Sequence, residues 1–203
     1  MNASRLSMRK PATLQSGFSL ITTLILLIVV TVLGLAASKI VLMSEKTSRF
    51  DRDTQIAFQA AEAALVDAEI DIQGTKDAAG NYVVSGLRMG QFDSKTASTF
   101  VNGCGTGTQR GMCKPTTGAK PIWYQVEFTD ESANAKTVKF GEFTNREFSV
   151  GSKGIRPEMA PRYIIDYIED TASPGKLLYR ITAMGFGPRK ETQVVLQVVF
   201  RKV

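Results

Sequence analysis

Residues 18–37 read FSLITTLILLIVVTVLGLAA, twenty residues without a charge, interrupted only by Ser19, Thr22, Thr23 and Thr31. The uncharged stretch is longer still, running from Pro11 to Ser38. As a helix rising about 1.5 Å per residue, the twenty residues cover roughly 30 Å, the thickness of a bilayer's hydrocarbon core. The interrupting hydroxyls can bond back to the helix backbone, so they do not oppose insertion. This composition favours a membrane-spanning helix over the buried core helix of a globular domain.

Arg5, Arg9 and Lys10 precede the span, and this basic flank leaves the N-terminus in the cytoplasm and exports the chain beyond the span. Lys39, Glu45 and Lys46 come after it, so the asymmetry is moderate. The span is longer than the core of an ordinary secretory signal, and a small-residue cut site after it is ambiguous at Ala36 and Ala37.

The bulk composition excludes more than it identifies. With 43% hydrophobic and 22% charged residues, the 203-residue chain is not a disordered one; it is one domain plus an appendage. The formal charge is +6, but setting aside Arg5, Arg9 and Lys10 leaves 22 basic against 19 acidic residues, too mild an excess to argue for nucleic acid. There is no histidine, which removes the commonest general base and metal ligand. Two cysteines cannot make a zinc site without several carboxylates. No phosphate loop, dinucleotide fingerprint or nucleophile elbow occurs, so the expectation is a non-enzyme without cofactor or metal.

Past the span, Lys39 to Gln73 contains neither proline nor glycine. Phe58, Leu65 and Ile72 recur every seven residues, Ala61 and Ala68 fill the intermediate turns, and Glu62 and Glu69 lie on a wetter flank. The pattern predicts an amphipathic helix that packs through Phe58, Ala61, Leu65, Ala68 and Ile72 and stops at Gly74. Joined to the span, it makes one helix from about Phe18 to Gln73, with residues 18–38 in lipid and 39–73 one-sided. A coiled-coil stalk behind a membrane anchor would show a similar pattern.

Residues 74–203 read as an exported globular domain. From Gly74 to Pro121 the chain is polar and glycine-rich, which predicts loops with short strands. Cys104 and Cys113, in GCGTGTQRGMC, suit a structural disulfide in an oxidising compartment; a redox site or two unpaired thiols are the rivals. Alternating apolar residues then predict strands in PIWYQVEF (Ile122, Tyr124, Val126, Phe128), in RYIIDYIED (Tyr163, Ile165, Tyr167), at Leu177–Ala183, and in TQVVLQVVFRKV (Val194, Leu196, Val198, Phe200). A strand pair around Thr137 to Val150 is also expected, as is a hairpin at Gly185, Gly187 and Pro188. Asp166, Glu169 and Asp170 make an acidic cluster that reads as a solvated face, with calcium ligation the sharper alternative. The fold class is therefore α+β: one long N-terminal helix packed on a C-terminal antiparallel sheet.

The junction Gln15-Ser16-Gly17-Phe18-Ser19-Leu20, after a short basic leader, resembles the processing signal of type IV prepilins. That resemblance implies a leader over residues 1–17, cleavage after Gly17, and Phe18 as a methylated mature N-terminus. Most pilins carry a glutamate at the fifth mature position; here it is Thr22. A carboxylate in the bilayer needs a positive group to answer it, and in pilins that group is thought to be a neighbouring subunit's N-terminal ammonium. Thr22 thus fits a subunit with none ahead of it, at a filament tip.

The block QIAFQAAEAAL (Gln55 to Leu65), with PRYIID (Pro161 to Asp166), YRITAMGFG (Tyr179 to Gly187) and TQVVLQ, is similar to the PilX-type minor pilins. The family implies a pilin-like fold and a role in priming type IV pili, in adhesion and in twitching motility. It implies as partners other minor pilins, the major pilin, a large non-pilin tip adhesin, the prepilin peptidase and inner-membrane lipid; the mild charge balance adds no expectation of nucleic acid. A tip pseudopilin of a type II secretion system, or an unprocessed single-pass sensor, would share parts of this pattern.

Overall fold

The computed structural model describes residues 18–83, 88–116, 120–148 and 156–202. The expected leader, Gly17 included, lies outside the described residues. The chain divides after Ser48 into two units, each with its own character.

Helix α1 runs Phe18–Gln73. In its first part none of the described apolar side chains is covered: Leu20, Leu27 and Leu35 are 72%, 66% and 68% exposed. Its hydroxyls turn back on the helix, Thr22 and Thr23 to the carbonyls of Ser19 and Leu20 at 2.9 Å and Thr31 to that of Ile28 at 2.8 Å. The helix is thus apolar all round and its polar atoms are spent internally, the condition for a segment in hydrocarbon. It is long and apolar enough to cross a membrane. The helix ends at Gly74, whose φ of +81° suits glycine and whose N–H caps the Ile70 carbonyl at 2.7 Å.

The second unit holds short strands β1 (Thr75–Lys76) and β2 (Tyr82–Val83), a single helical turn α2 (Ile122–Gln125), and strands β3 (Val138–Lys139), β4 (Arg162–Glu169), β5 (Leu177–Phe186) and β6 (Gln193–Phe200). The last four form an antiparallel sheet in the order β3-β4-β5-β6, with Ile165 opposite Ile181 and Ile181 opposite Val198. Tyr163, Ile165, Tyr179, Ile181 and Ala183 pack with Ala64, Ala68 and Ile72 of α1, so this sheet face covers the helix. The other face is also covered: Ile164 and Phe186 pack with Cys104, Cys113, Ile122 and Phe128. The α+β arrangement, with the long helix on an antiparallel sheet, matches the expectation.

Three local expectations are corrected. PIWYQVEF is not a strand. Pro121 fixes φ at −51°, a value preorganised for a helical start, and the Tyr124 N–H closes a turn on the Pro121 carbonyl at 2.9 Å. Ile122 and Phe128 are buried while Tyr124 is 62% exposed, so the apolar residues do not share one face. The strand pair at Thr137–Val150 reduces to Val138–Lys139, which pairs with Tyr163 and Arg162. After it Gly141 turns the chain so tightly (φ +81°) that a Cβ would fall 1.9 Å from the Arg146 carbonyl oxygen, and Ser149 and Val150 lie outside the described residues. In the acidic cluster Glu169 is exposed as expected, but the two aspartates are not a solvated face, and no metal-holding group of carboxylates occurs among the described residues. Asp166 is buried and held by Arg180 at 2.7 Å, and Asp170 by Arg201 at 2.6 Å.

Candidate functional site

Two surfaces of α1 bear on function, and the sequence distributes them along one helix. The first is the uncovered apolar stretch just described. Phe18 is the first residue of α1, and Thr22 stands one turn further on with its hydroxyl bonded to the Ser19 carbonyl. Gly17, the expected cleavage point, is outside the described residues.

The second surface is the part of α1 that carries the globular unit. Ala57, Ala60, Ala61, Ala64, Ala68 and Ile72 are buried. The row Phe58, Leu65, Ile72 does not act as one buried stripe. Ile72 is fully buried, Leu65 is half-buried and Phe58 remains 37% exposed. A seven-residue repeat drifts by about 20° per heptad around an α-helix, so its upper member rotates off the sheet. Alanine takes over there because β5 approaches the helix backbone directly. A Cβ on Gly185 would fall 2.0 Å from the Ala57 carbonyl oxygen and 2.3 Å from the Ala61 nitrogen.

Sequence reasoning missed the residues that fasten the globular unit to the helix: Asp53, Asp67 and Asp71. Asp71 is fully buried and accepts from Arg88 Nη2 at 2.5 Å and Nε at 2.9 Å, with the Tyr163 hydroxyl donating at 2.9 Å. The remaining Arg88 donor reaches the Arg110 carbonyl at 2.6 Å and the Thr108 carbonyl at 3.1 Å, and the guanidinium lies 3.7 Å from the Phe143 ring centre. Burial, with Asp71 beside it, pushes the Tyr163 phenol well above its ordinary pKa, so it stays a donor. One turn earlier, Asp67 accepts from the Gly141 N–H at 2.8 Å and the Thr144 hydroxyl at 2.5 Å, with Arg146 at 3.5 Å. Burial outweighs these contacts and raises its pKa. Asp53 meets Arg189 of the β5–β6 hairpin at 3.5 Å. The available signal was the placing of Asp67 and Asp71 three residues after Ala64 and Ala68, on the apolar face rather than opposite it.

Cys104 and Cys113 form a disulfide, and both are fully buried against the outer face of the sheet. The Cys113 N–H bonds to the Ile165 carbonyl at 2.8 Å, which ties the crosslinked loop to β4. Fixing that loop beside Ile164 and Phe186 gives the sheet its second small core.

Two family profiles match the chain: the type IV pilus assembly protein PilX C-terminal family over residues 75–202, and the PilX N-terminal family over residues 16–66. Searches of curated proteins and of solved structures returned no match. The N-terminal profile begins beside the Gly17–Phe18 junction and runs through the apolar stretch, and the C-terminal one takes in the disulfide loop and the whole sheet. Together they cover most of the chain, which therefore belongs to the PilX family of type IV pilus assembly proteins.

Proposed function

We propose that this assembly protein is a minor pilin that primes type IV pili and stays in the tip complex, where it supports adhesion and twitching motility. Residues 1–17 are removed as a leader, Phe18 becomes the methylated N-terminus, residues 18–38 hold the subunit in the inner membrane, and residues 74–203 lie in the periplasm. The observation that carries this reading is the naked apolar helix starting at the prepilin-like junction, with Thr22 where a membrane carboxylate is usual.

The chemistry is noncovalent. Every apolar side chain described between Ser19 and Val41 faces outward in the isolated chain, so lipid or neighbouring helices must cover it. Exchanging lipid for the helices of other minor pilins and the major pilin costs little in hydrophobic burial, and close packing then favours assembly. The Thr22 hydroxyl, bonded to its own helix, offers no charge to another subunit's ammonium, so nothing is drawn in ahead of it. The exported domain is left to meet a large tip adhesin.

Mass spectrometry of the membrane form tests processing: a methylated Phe18 terminus is expected, and an intact Met1 would overturn it. Clean deletion is expected to abolish or sharply reduce surface pili. Thr22→Glu should move the subunit from the tip into the shaft by immunogold labelling; unchanged labelling would remove the tip argument.

A further inference from the structure

A cleft of about 440 Å³ opens between β3, the turn at 131–133 and the Asp67-bound turn at 141–146. Arg110, Lys139, Arg146 and Arg162 line it, against the two carboxylates Glu131 and Glu142. Glu142 is already engaged, accepting from Arg110 at 2.7 Å and from the Lys139 N–H at 3.1 Å.

Arg162 is the anomaly. It is 4% exposed, and its donors go to the Thr137 hydroxyl at 2.7 Å and the Thr137 carbonyl at 3.2 Å. Among the described residues no carboxylate lies within ion-pair distance of it, and the rest of the sequence contains no Asp or Glu that could supply one. By contrast, buried Arg88 in the loop after β2 and half-buried Arg180 in β5 are each closed by a two-pronged aspartate. Glu142 and Glu131 act on Arg162 only from beyond ion-pair distance, and a buried cation without a close partner is costly unless something answers it. Arg110 adds a second unmet demand, since its Nε–H is buried with no acceptor among the described residues. Burial lowers the Arg162 pKa, and the charges of Glu142 and Glu131 offset only part of that shift.

We propose that this cleft binds a carboxylate group, presented as an acidic side chain by another polypeptide of the pilus assembly. Carboxylate suits arginine forks, which take two parallel hydrogen bonds and so impose orientation as well as charge. Lys139 and Arg146 at the exposed rim draw the acidic segment in, and Arg162 at the base receives its carboxylate. The polypeptide nature of the ligand rests on the assembly role proposed above. The binding itself does not, so a failed titration leaves that role standing, and normal piliation in the deletion strain leaves the titration standing.

The test uses the full chain in detergent at low salt and a fluorescent tetraglutamate peptide, read by anisotropy. Tetraglutamate is expected to bind at least tenfold more tightly than tetraglutamine. Lys139→Glu should weaken it several-fold without a change in melting temperature, and adding Arg146→Glu, which also removes the Asp67 contact, should weaken it at least tenfold. Lys176→Glu, in the turn at the far end of β4, should leave it unchanged. Arg162→Met reports on the base of the cleft, and the rim pair keeps the test decisive if that variant does not fold. Equal binding of the two peptides, or unaltered binding by the rim variant, would overturn the proposal. Displacement of the peptide by glucuronate or inorganic phosphate at lower concentration than by free glutamate would overturn the choice of a protein carboxylate.

Discussion

The two parts of α1 are built on opposite rules. Before Ser48 the described apolar side chains are all exposed and the hydroxyls bond to their own helix, so no packing among the described residues selects one face of it. After Arg49 the helix is committed: alanines admit the sheet, and Asp53, Asp67 and Asp71 each receive a partner from a different loop. The first part leaves its energy to be gained from other molecules. The second has already gained it within the chain. Under the function proposed above, a subunit whose anchor changes neighbours would need this division, because repacking of the exposed helix would then not require the globular core to change.

The sharpest way to break the comparison is to remove a fastening. Arg88→Ala leaves the Asp71 carboxylate buried without its cation, and such losses cost about 3–5 kcal/mol. Urea unfolding of the full chain in detergent, followed through Trp123 fluorescence, would measure it. Leu27→Ala in the span should move the same transition by less than about 0.5 kcal/mol, since surface changes away from packing rarely do more. Arg88→Ala behaving like Leu27→Ala would mean that the pair does not hold the domain.

The disulfide comes next. Replacing Cys104 and Cys113 by serine should cost about 2–3 kcal/mol on the chain-entropy account of a loop this short. Two glycines then make a test of opposite signs. Gly185→Ala forces a methyl into the backbone of α1 and should destabilise by about 1–3 kcal/mol. Gly34→Ala meets nothing within 4 Å, and removing a glycine from a helix interior should raise helix stability by up to about 1 kcal/mol. Equal losses at both sites would show that the two parts of α1 are not distinguished by packing.

The long helix and the three main strands were legible because their signals are local: an uncharged run, a stretch free of glycine and proline, and alternating apolar residues within each of the last three strands. The single turn at Ile122–Gln125 was not. IWYQVEF alternates as a strand should, and the burial of Ile122 and Phe128 under a sheet formed far along the chain overrides that pattern. The clamps were hidden for the same reason. Asp71 finds Arg88 seventeen residues on and Tyr163 ninety-two residues on, and no window of sequence contains all three. Phe58, the upper member of the exact heptad, turns away from the sheet and is left for contacts outside the chain. The cleft around Arg162 was invisible because an arginine at a strand start reads as an ordinary exposed charge until Thr137 closes over it.

The smallest effect is a slope with pH, and its sign follows from burial. The carboxyls of Asp67 and Asp166 have native pKa values raised by desolvation, in spite of Arg146 and Arg180 beside them and, for Asp67, with Asp71 nearby adding to the rise. Their native forms therefore hold protons more tightly than their unfolded forms do. By linkage, the stability they contribute is complete below the ordinary carboxylate range and is lost as pH rises through the raised native values. Exposed Glu127, held below its ordinary pKa by hydrogen bonds from Thr129, works in the opposite direction, so the whole-protein curve mixes both signs. The difference between wild type and Asp67→Asn isolates one of them. The asparagine keeps an acceptor for Gly141 and Thr144 but carries no charge to desolvate. Wild type should lose stability relative to the variant as pH is raised from 4 to 7. A difference that is flat, or that grows in favour of wild type, would mean that Arg146 compensates the buried charge fully, and that this fastening resembles the closed pair at Asp71 rather than a carboxyl buried at a cost.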